Sequence, residues 1–312
     1  MTDGWGGGVP VVTGIGQCCW DTLAVVDAYP AADSKVEAAA WEEQGGGPAA
    51  TALVTLARFG IACRFAGVVG DDEAGTLIRR GLRAEGVDVA ALATRAGSVS
   101  QRALIVVERG SGRRTIVWQR PTGRPLSAAE VTPELLAGSR LLHLDGLMAE
   151  ASLQAARLAR CAGIPVMVDA GRLRPGMVEL AGCCDYLVAA EQFFRDLGWD
   201  GDEARFRRLA AGLGAPVVTV TLGPRGSLTW RADDFFPTPA FPVAVVDSTG
   251  AGDVFHGAYL YGVLRGWPLR RTVTFAAAAA ALKCRFLGAQ RGIPPLAGVE
   301  ELLRERGIAT AG

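Results

Sequence analysis

Short apolar runs alternate with helical segments along almost the whole chain, and that rhythm leaves few folds open. Val11–Ile15, Arg64–Val69, Leu141–Leu144, Val166–Asp169, Tyr186–Val188 and Val217–Thr221 read as strands. Pro48–Phe59, Ala74–Glu85, Ala151–Ala162, Glu203–Leu213, Ala258–Arg265 and the alanine-rich Arg270–Cys284 read as helices. Apolar strands separated by helices predict an α/β fold, a mainly parallel central sheet covered by helices on both faces. With 312 residues, 50% of them hydrophobic, the chain can bury one large core of this kind or two ordinary ones. No repeat, low-complexity tract or long charged linker divides it, so a single domain over 1–312 is expected.

Two segments break the rhythm. Leu23–Tyr29 with Lys35–Glu43, and Ala103–Glu108 with Arg114–Gln119, read as pairs of strands joined by turn residues, which makes 22–44 and 100–121 insertions in the α/β framework. Taken alone, each is also compatible with an ordinary edge hairpin.

The richest chemistry lies in DSTGAGDVFHG at 247–257. The apolar run Phe241–Val246 before it reads as a strand, and Val254–Leu264 after it reads as a helix. The backbone N–H groups of Gly250, Ala251 and Gly252 then sit at a helix N-terminus, where free donors and the helix dipole favour an anion such as phosphate. Asp253 stands beside that anion hole as a candidate general base for an attacking hydroxyl. The plainer alternative is a glycine-rich turn whose Asp caps the helix.

Composition removes several other classes. Lys plus Arg and Asp plus Glu both total 32, so the net charge is zero and no basic patch asks for nucleic acid. No run of about eighteen apolar residues asks for a membrane. The N-terminal MTDGWGGGVPVV lacks a charged-then-apolar signal pattern, which argues for the cytoplasm. Seven cysteines, an odd number, fit reduced, core-filling thiols, and the adjacent pairs Cys18–Cys19 and Cys183–Cys184 are not metal spacings. With only two histidines, His143 and His256, neither a His-rich metal site nor a Ser-His-Asp triad is supported. His256, one turn into the signature helix, either faces the site or packs.

DSTGAGD followed by a small-residue helix resembles the C-terminal signature, usually DTxGAGD, of the ribokinase-like (PfkB) carbohydrate kinases. Four more matches occur in family order: GGGPAATALVTLARFG at 45–60, GVVGDDEAG at 67–75, VTLGPRG at 220–226 and LGAQRGIP at 287–294. The resemblance implies a ribokinase-like α/β fold whose two insertions form a small β-sheet lid beside the sugar site. It also implies ATP and Mg²⁺ as cofactors, and a homodimer built by pairing two lids.

On the sugar side, the resemblance places Asp21 as a ligand of substrate hydroxyls, with Gly46 and Gly47 allowing close backbone approach. Thr51 stands where the family commonly has an Asn. GGGPAATA together with ALKCRFLGAQRGIP at 281–294 most resembles the branch that includes bacterial sulfofructose kinases, in which Lys35 and Gln101 fall at lid positions able to meet an anionic or polar substituent. Trp118 and Leu147 depart from that branch, which supplies an amide and an arginine there. A solvated surface side chain is the alternative for Lys35.

On the nucleotide side, the resemblance assigns Thr221, Gly223 and Gly226 to a loop along the ATP phosphates and ribose. The NxxE stretch that organises Mg²⁺ reads Ala190-Glu191-Gln192-Phe193 here, which leaves Glu191 as its acidic group. Ala277 replaces an adenine-contacting Asn. Asp247, Thr249 and the loop Cys284–Gln290 match the region where many members bind K⁺, although Asp247 is equally able to brace the turn.

The expectation is therefore an ATP-dependent kinase that phosphorylates a hydroxyl of a small sugar or sugar derivative. A nucleoside kinase, with Trp20 and Trp118 stacking on a base, is the nearest alternative. A non-catalytic sugar-binding or regulatory protein of the same fold is the other.

Overall fold

The computed structural model describes residues 12–232 and 234–308. Residues 1–11, which include Val11 and all but the last residue of the N-terminal stretch used above to argue for the cytoplasm, lie outside the described residues. Ten strands form the main sheet: β1 (Val12–Ile15), β4 (Cys63–Gly70), β5 (Val87–Asp88), β6 (Leu92–Arg95), β9 (Leu141–Leu144), β10 (Val166–Ala170), β11 (Tyr186–Ala190), β12 (Val217–Thr221), β13 (Ser227–Arg231) and β14 (Asp234–Thr238). Their order is β14-β13-β12-β11-β10-β9-β1-β4-β5, with β6 beside β4. All neighbours run parallel except the antiparallel β12–β13–β14 edge. A second sheet, in the order β3-β2-β7-β8, comprises β2 (Cys19–Val26), β3 (Ala40–Gly46), β7 (Arg102–Glu108) and β8 (Arg114–Gln119).

Helices cover both faces of the main sheet because its strands are apolar on both. Side chains alternate across a strand, so Met167 enters one core and its neighbours Val166 and Val168 the other. The first core is closed by α1 (Pro48–Arg58), α2 (Glu73–Ala84), α7 (Ala251–Leu264), α8 (Leu269–Lys283) and α9 (Leu296–Glu305). The second is closed by α3 (Ala149–Cys161), α4 (Met177–Ala181), α5 (Glu191–Asp196) and α6 (Glu203–Gly212). Local signals set several helix starts. Asp72 caps α2 by accepting from Gly75 N at 2.9 Å, Asp202 caps α6 by accepting from Arg205 N at 2.7 Å, and Pro48 occupies the first turn of α1.

The ribokinase-like α/β fold with its separate small sheet is as expected, but one reading fails. Phe241–Val246 is not a strand: it is an irregular strap whose Val245 and Val246 are exposed. Pro239 and Pro242 remove ladder donors from this stretch, and Val246 N and Asp247 N instead both donate to Cys284 O, at 2.8 and 3.2 Å. The strap thereby hangs the 247–250 turn from the end of α8. The second sheet is shifted relative to its sequence-based bounds. β2 starts at Cys19, which brings Asp21 into the strand, and β3 starts at Ala40, which leaves Lys35 outside it.

Helices α1 and α7, which carry the two halves of the site described below, pack closely at Gly257. A Cβ there would lie 2.6 Å from both Ala52 O and Thr55 Cβ. Gly257→Leu is therefore expected to destabilise the protein by about 1–3 kcal/mol through overpacking. The check is a lower denaturant midpoint at unchanged slope, and an unchanged midpoint would refute this contact.

Candidate active site

The strand order reverses at β1, which has β4 on one side and β9 on the other. In open α/β sheets such a reversal leaves a crevice at the C-terminal ends of the strands. Four carboxylates gather around this crevice: Asp21 on β2, Asp145 immediately after β9, Asp169 near the end of β10, and Asp253 in the first turn of α7. His256 fixes the start of α7 over the strand ends. One ring nitrogen lies 2.6 Å from Gly252 O, while the other is 3.2 Å from Val188 O and 3.5 Å from Asp169 Oδ1. It packs at 4% exposure and meets the acid cluster through Asp169.

The start of α7 has the expected form. Gly250 sits at φ 75 as the N-cap and offers no side-chain cap, and the first intrahelical bond runs from Val254 N to Gly250 O at 2.9 Å. A Cβ at Gly250 would lie 2.6 Å from the Ala289 Cβ, so the left-handed turn and the contact both require glycine. Ala251 N leans back to Ser248 O at 3.3 Å, and the amides of Gly252 and Asp253 precede the first helical bond, on a half-open surface.

Crowding of acids sets the electrostatics. Burial, then the charge of Asp169, pushes the Asp253 carboxyl up to about 7, with Asp21 and Asp145 adding smaller repulsions and His256 opposing them. Burial likewise lifts Asp21 and Asp145 to about 6 each, and raises Asp169. Burial drives the His143 imidazole, which lies in β9, down to about 3, so it is a neutral core residue. Asp145 accepts from Gln17 N at 2.6 Å and Leu147 N at 3.0 Å, which braces the turn leading into β2.

On the acceptor side, Asp21 faces Gln44 across β2–β3 and Ala103 across β2–β7, and Ala103 faces Trp118 across β7–β8. Paired residues share a face, so Asp21, Gln44 and Trp118 lie on the same side of the small sheet. Gly46 is needed because a Cβ there would lie 2.0 Å from Asp21 Oδ2, and Gly47, at φ 95, caps α1. Buried Gln44 Nε2, Thr51 Oγ1 and Gln101 Oε1 have no partner among the described residues. Lys35 lies exposed in the segment 27–39 that joins β2 to β3, and the structure does not gather it with these groups. The cation that the lid does bring inward is Arg114, whose guanidinium donates to Ser248 Oγ at 2.5 Å.

On the nucleotide side, Thr221 ends β12, and Gly223 and Gly226 make the turn to β13. Glu191 is taken up by Arg195 and Arg225, so it clamps this turn. Phe193, at the last position of the expected NxxE pattern, is fully buried in the second core. Asp247 is also committed: Oδ1 accepts from Thr249 N at 2.8 Å and Thr249 Oγ1 at 2.7 Å, and Oδ2 accepts from Gly288 N at 2.8 Å.

A family model described as pfkB family carbohydrate kinase matches residues 12–295. The chain belongs to that family. It is 27% identical over 299 residues to an ATP-dependent ribose-1-phosphate kinase from Halopiger xanaduensis, across 95% of this chain and 98% of that protein. It is 28% identical over 294 residues to the ribokinase of Bacillus subtilis, across 93% and 98%. The solved structure of Arabidopsis thaliana ribokinase complexed with ribose and ATP superposes with a TM-score of 0.82 at 25% identity, covering 95% of this chain and 99% of that one.

In this pfkB-family kinase, sequence reasoning missed Asp145, Asp169, Gln44, Arg114 and Lys283. Asp145 directly follows β9 and Asp169 stands one residue before the end of β10, and an acid at the end of a short apolar strand is a usable signal in a parallel sheet. Lys283 is a single charge at the end of an alanine run, and that isolation was the clue to it.

The raised carboxyls fix the sign of a pH effect. Asp253 titrates at 3.8 unfolded and about 7 folded, so between about pH 4 and 7 the folded state holds more protons than the unfolded chain. Its contribution to stability is full below pH 4 and is lost as pH rises through 7. Thermal melting of the parent should fall over that range, and Asp253→Asn should flatten the fall. Equal slopes for the two proteins would refute the assignment.

Proposed function

We propose that Asp253 takes the proton from an acceptor hydroxyl while the first amides of α7, Gly250 to Gly252 with Asp253 itself, hold the phosphoryl group moving from ATP. The observation that carries this reading is a buried carboxyl in the first turn of a helix whose N-terminus has no side-chain cap, with burial and the neighbouring acids pushing that carboxyl up to about 7. The acceptor is a small molecule with several hydroxyls. Asp21, Thr51 and Gln101, with Gln44, supply one carboxylate and uncharged polar atoms, and an orphaned buried polar atom costs about 1–3 kcal/mol until a ligand satisfies it. Thr221, Gly223 and Gly226 line the nucleotide side, and the small side chain of Ala277 leaves the base with apolar contacts.

Mg²⁺ fits this donor set as a companion of ATP. Among the described residues no three His, Cys, Asp or Glu converge to hold a metal, whereas Asp169, in the acid cluster beside Asp253, offers one carboxylate of the kind that Mg²⁺ uses beside phosphates and water. When bound, it neutralises phosphate charge. Glu191, locked between two arginines, contributes by holding the nucleotide turn.

Asp253→Asn keeps the helix start and the nucleotide turn but removes the proton acceptor. A fall in kcat of about 10²–10⁴-fold is expected, with ATP binding by calorimetry unchanged. Near-parent turnover on any acceptor in a sugar and nucleoside panel would overturn the role of Asp253. No turnover by the parent on the whole panel would favour a binding protein.

The small sheet supports a second part of the proposal, a homodimer. On its outer face Trp41, Leu104 and Val117 are 61%, 39% and 61% exposed and surround Thr22, a contiguous apolar surface of the kind that a partner covers. Its inner face, with Trp118 and Arg114, closes over the acceptor and excludes water. All seven cysteines are unpaired, which supports a reducing, cytoplasmic location. No described helix is long and apolar enough to cross a membrane. Sedimentation velocity should show a dimer for the parent and a monomer for Val117→Lys, and a monomeric parent at micromolar concentration would remove this part.

A further inference from the structure

The turn that carries the anion hole is held by a cation that belongs to the chain. Lys283 ends α8, and its side chain and that of Asp247 are both 0% exposed. The ammonium donates to Asp247 O at 2.8 Å and to Phe286 O at 3.4 Å, and lies 3.8 Å from Asp247 Oδ2. Cε packs where a Cβ on Gly292 would come within 2.8 Å. These contacts join the 247–250 turn to the segment after α8, where the resemblance expects K⁺ beside Asp247, Thr249 and the loop Cys284–Gln290. A potassium ion does not fit the site as built. Two of its carbonyls already face an ammonium, the Asp247 carboxylate is taken up by Thr249 and Gly288, and a second positive charge beside Nζ would be repelled.

We propose that Lys283 is the built-in monovalent cation of this kinase: its ammonium draws the Asp247 and Phe286 carbonyls together, keeps the Gly250–Asp253 amides aimed, and makes phosphoryl transfer independent of K⁺ and Na⁺. The inference rests on the kinase reading above. Lys283 is a positioning residue, because it touches the backbone of the turn and not the reacting atoms. A buried ammonium is costly unless paired, and a residue here that only filled space would be met as well by methionine. Burial does pull the lysine down from its usual range, while the Asp247 charge opposes that shift. The negative end of the α8 dipole also favours a cation at this terminus.

The test compares KCl, NaCl and choline chloride at one ionic strength, reading both turnover and thermal melting. The parent should give equal rates and equal melting temperatures in all three salts. Lys283→Ala, which removes the ammonium and leaves room for an ion, should lose roughly ten- to hundredfold in kcat in choline chloride. It should regain activity and melting temperature, saturably, with KCl or methylammonium. Lys283→Met, which refills the space without charge, should be slow in every salt. A parent that K⁺ activates several-fold over choline would overturn the proposal, and that arm stands even if Lys283→Ala does not fold. A folded Lys283→Ala that is fully active in choline, or that no cation rescues in either readout, would overturn it as well. A parent inactive on every acceptor would instead count against the kinase reading, and the melting titration would still decide whether Lys283 holds the cation place.

Discussion

Helix α7 begins without a side-chain cap, and the proposed phosphoryl transfer depends on that start being kept open. Asp247, three residues before the N-cap, is of the type that commonly caps a helix, but its carboxylate is turned to Thr249 and to Gly288 of the neighbouring loop. The turn is thereby fixed from behind, and the amides of Gly252 and Asp253 are left without a side-chain cap. Gly250 completes the arrangement by taking a left-handed backbone against Ala289. Stability that a cap would have given the helix, about 1 kcal/mol, is supplied instead by packing of α7 against α1 and α8.

The same end of the sheet collects acids that a protein selected only for stability would disperse. Asp145 is useful to the fold, because its two amide contacts hold the turn after β1, and Gly16 is small so that this carboxylate can fit against it. Asp253 and Asp21 have no comparable structural work. Their raised pKa values show that the folded state prefers them protonated, so ionising them weakens the fold. That penalty fits the proposed roles, in which Asp21 meets substrate hydroxyls and Asp253 the acceptor's proton.

Legibility in the sequence followed the range of the interaction. DSTGAGD disclosed the start of α7, its glycine cap and the acid in its first turn, since all of these are encoded within one turn. The parallel sheet was visible because doubly buried strands are apolar throughout. The Phe241–Val246 reading failed because composition alone does not supply a partner strand, and the prolines on either side of Phe241 prevent one. Asp145 and Asp169 escaped notice because neither belongs to a local motif. The pairing of β9 with β10 in parallel register brings them to one edge. Lys35 looked like a pocket residue by alignment of position, whereas the start of β3 at Ala40 leaves it on an exposed connection.

Strand alternation lets one thin sheet do two tasks. Along β2, Cys19, Asp21 and Leu23 point toward the body of the protein, while Thr22 and Ala24 point away. Register carries the same division across to β8, so Trp118 lies on the inner side with Asp21 and Val117 on the outer side with Thr22. A one-residue slip of either hairpin would exchange the two surfaces and put an acid where apolar residues now lie. Gln44 guards against that slip at the base of the sheet. Its Oε1 accepts from Arg291 N at 3.0 Å, and its Nε2 occupies the space that a Cβ on Gly288 would need. The residue that pins the lid's register thus also touches the loop that fixes the start of α7, so the acceptor site and the anion hole are set by one connected frame.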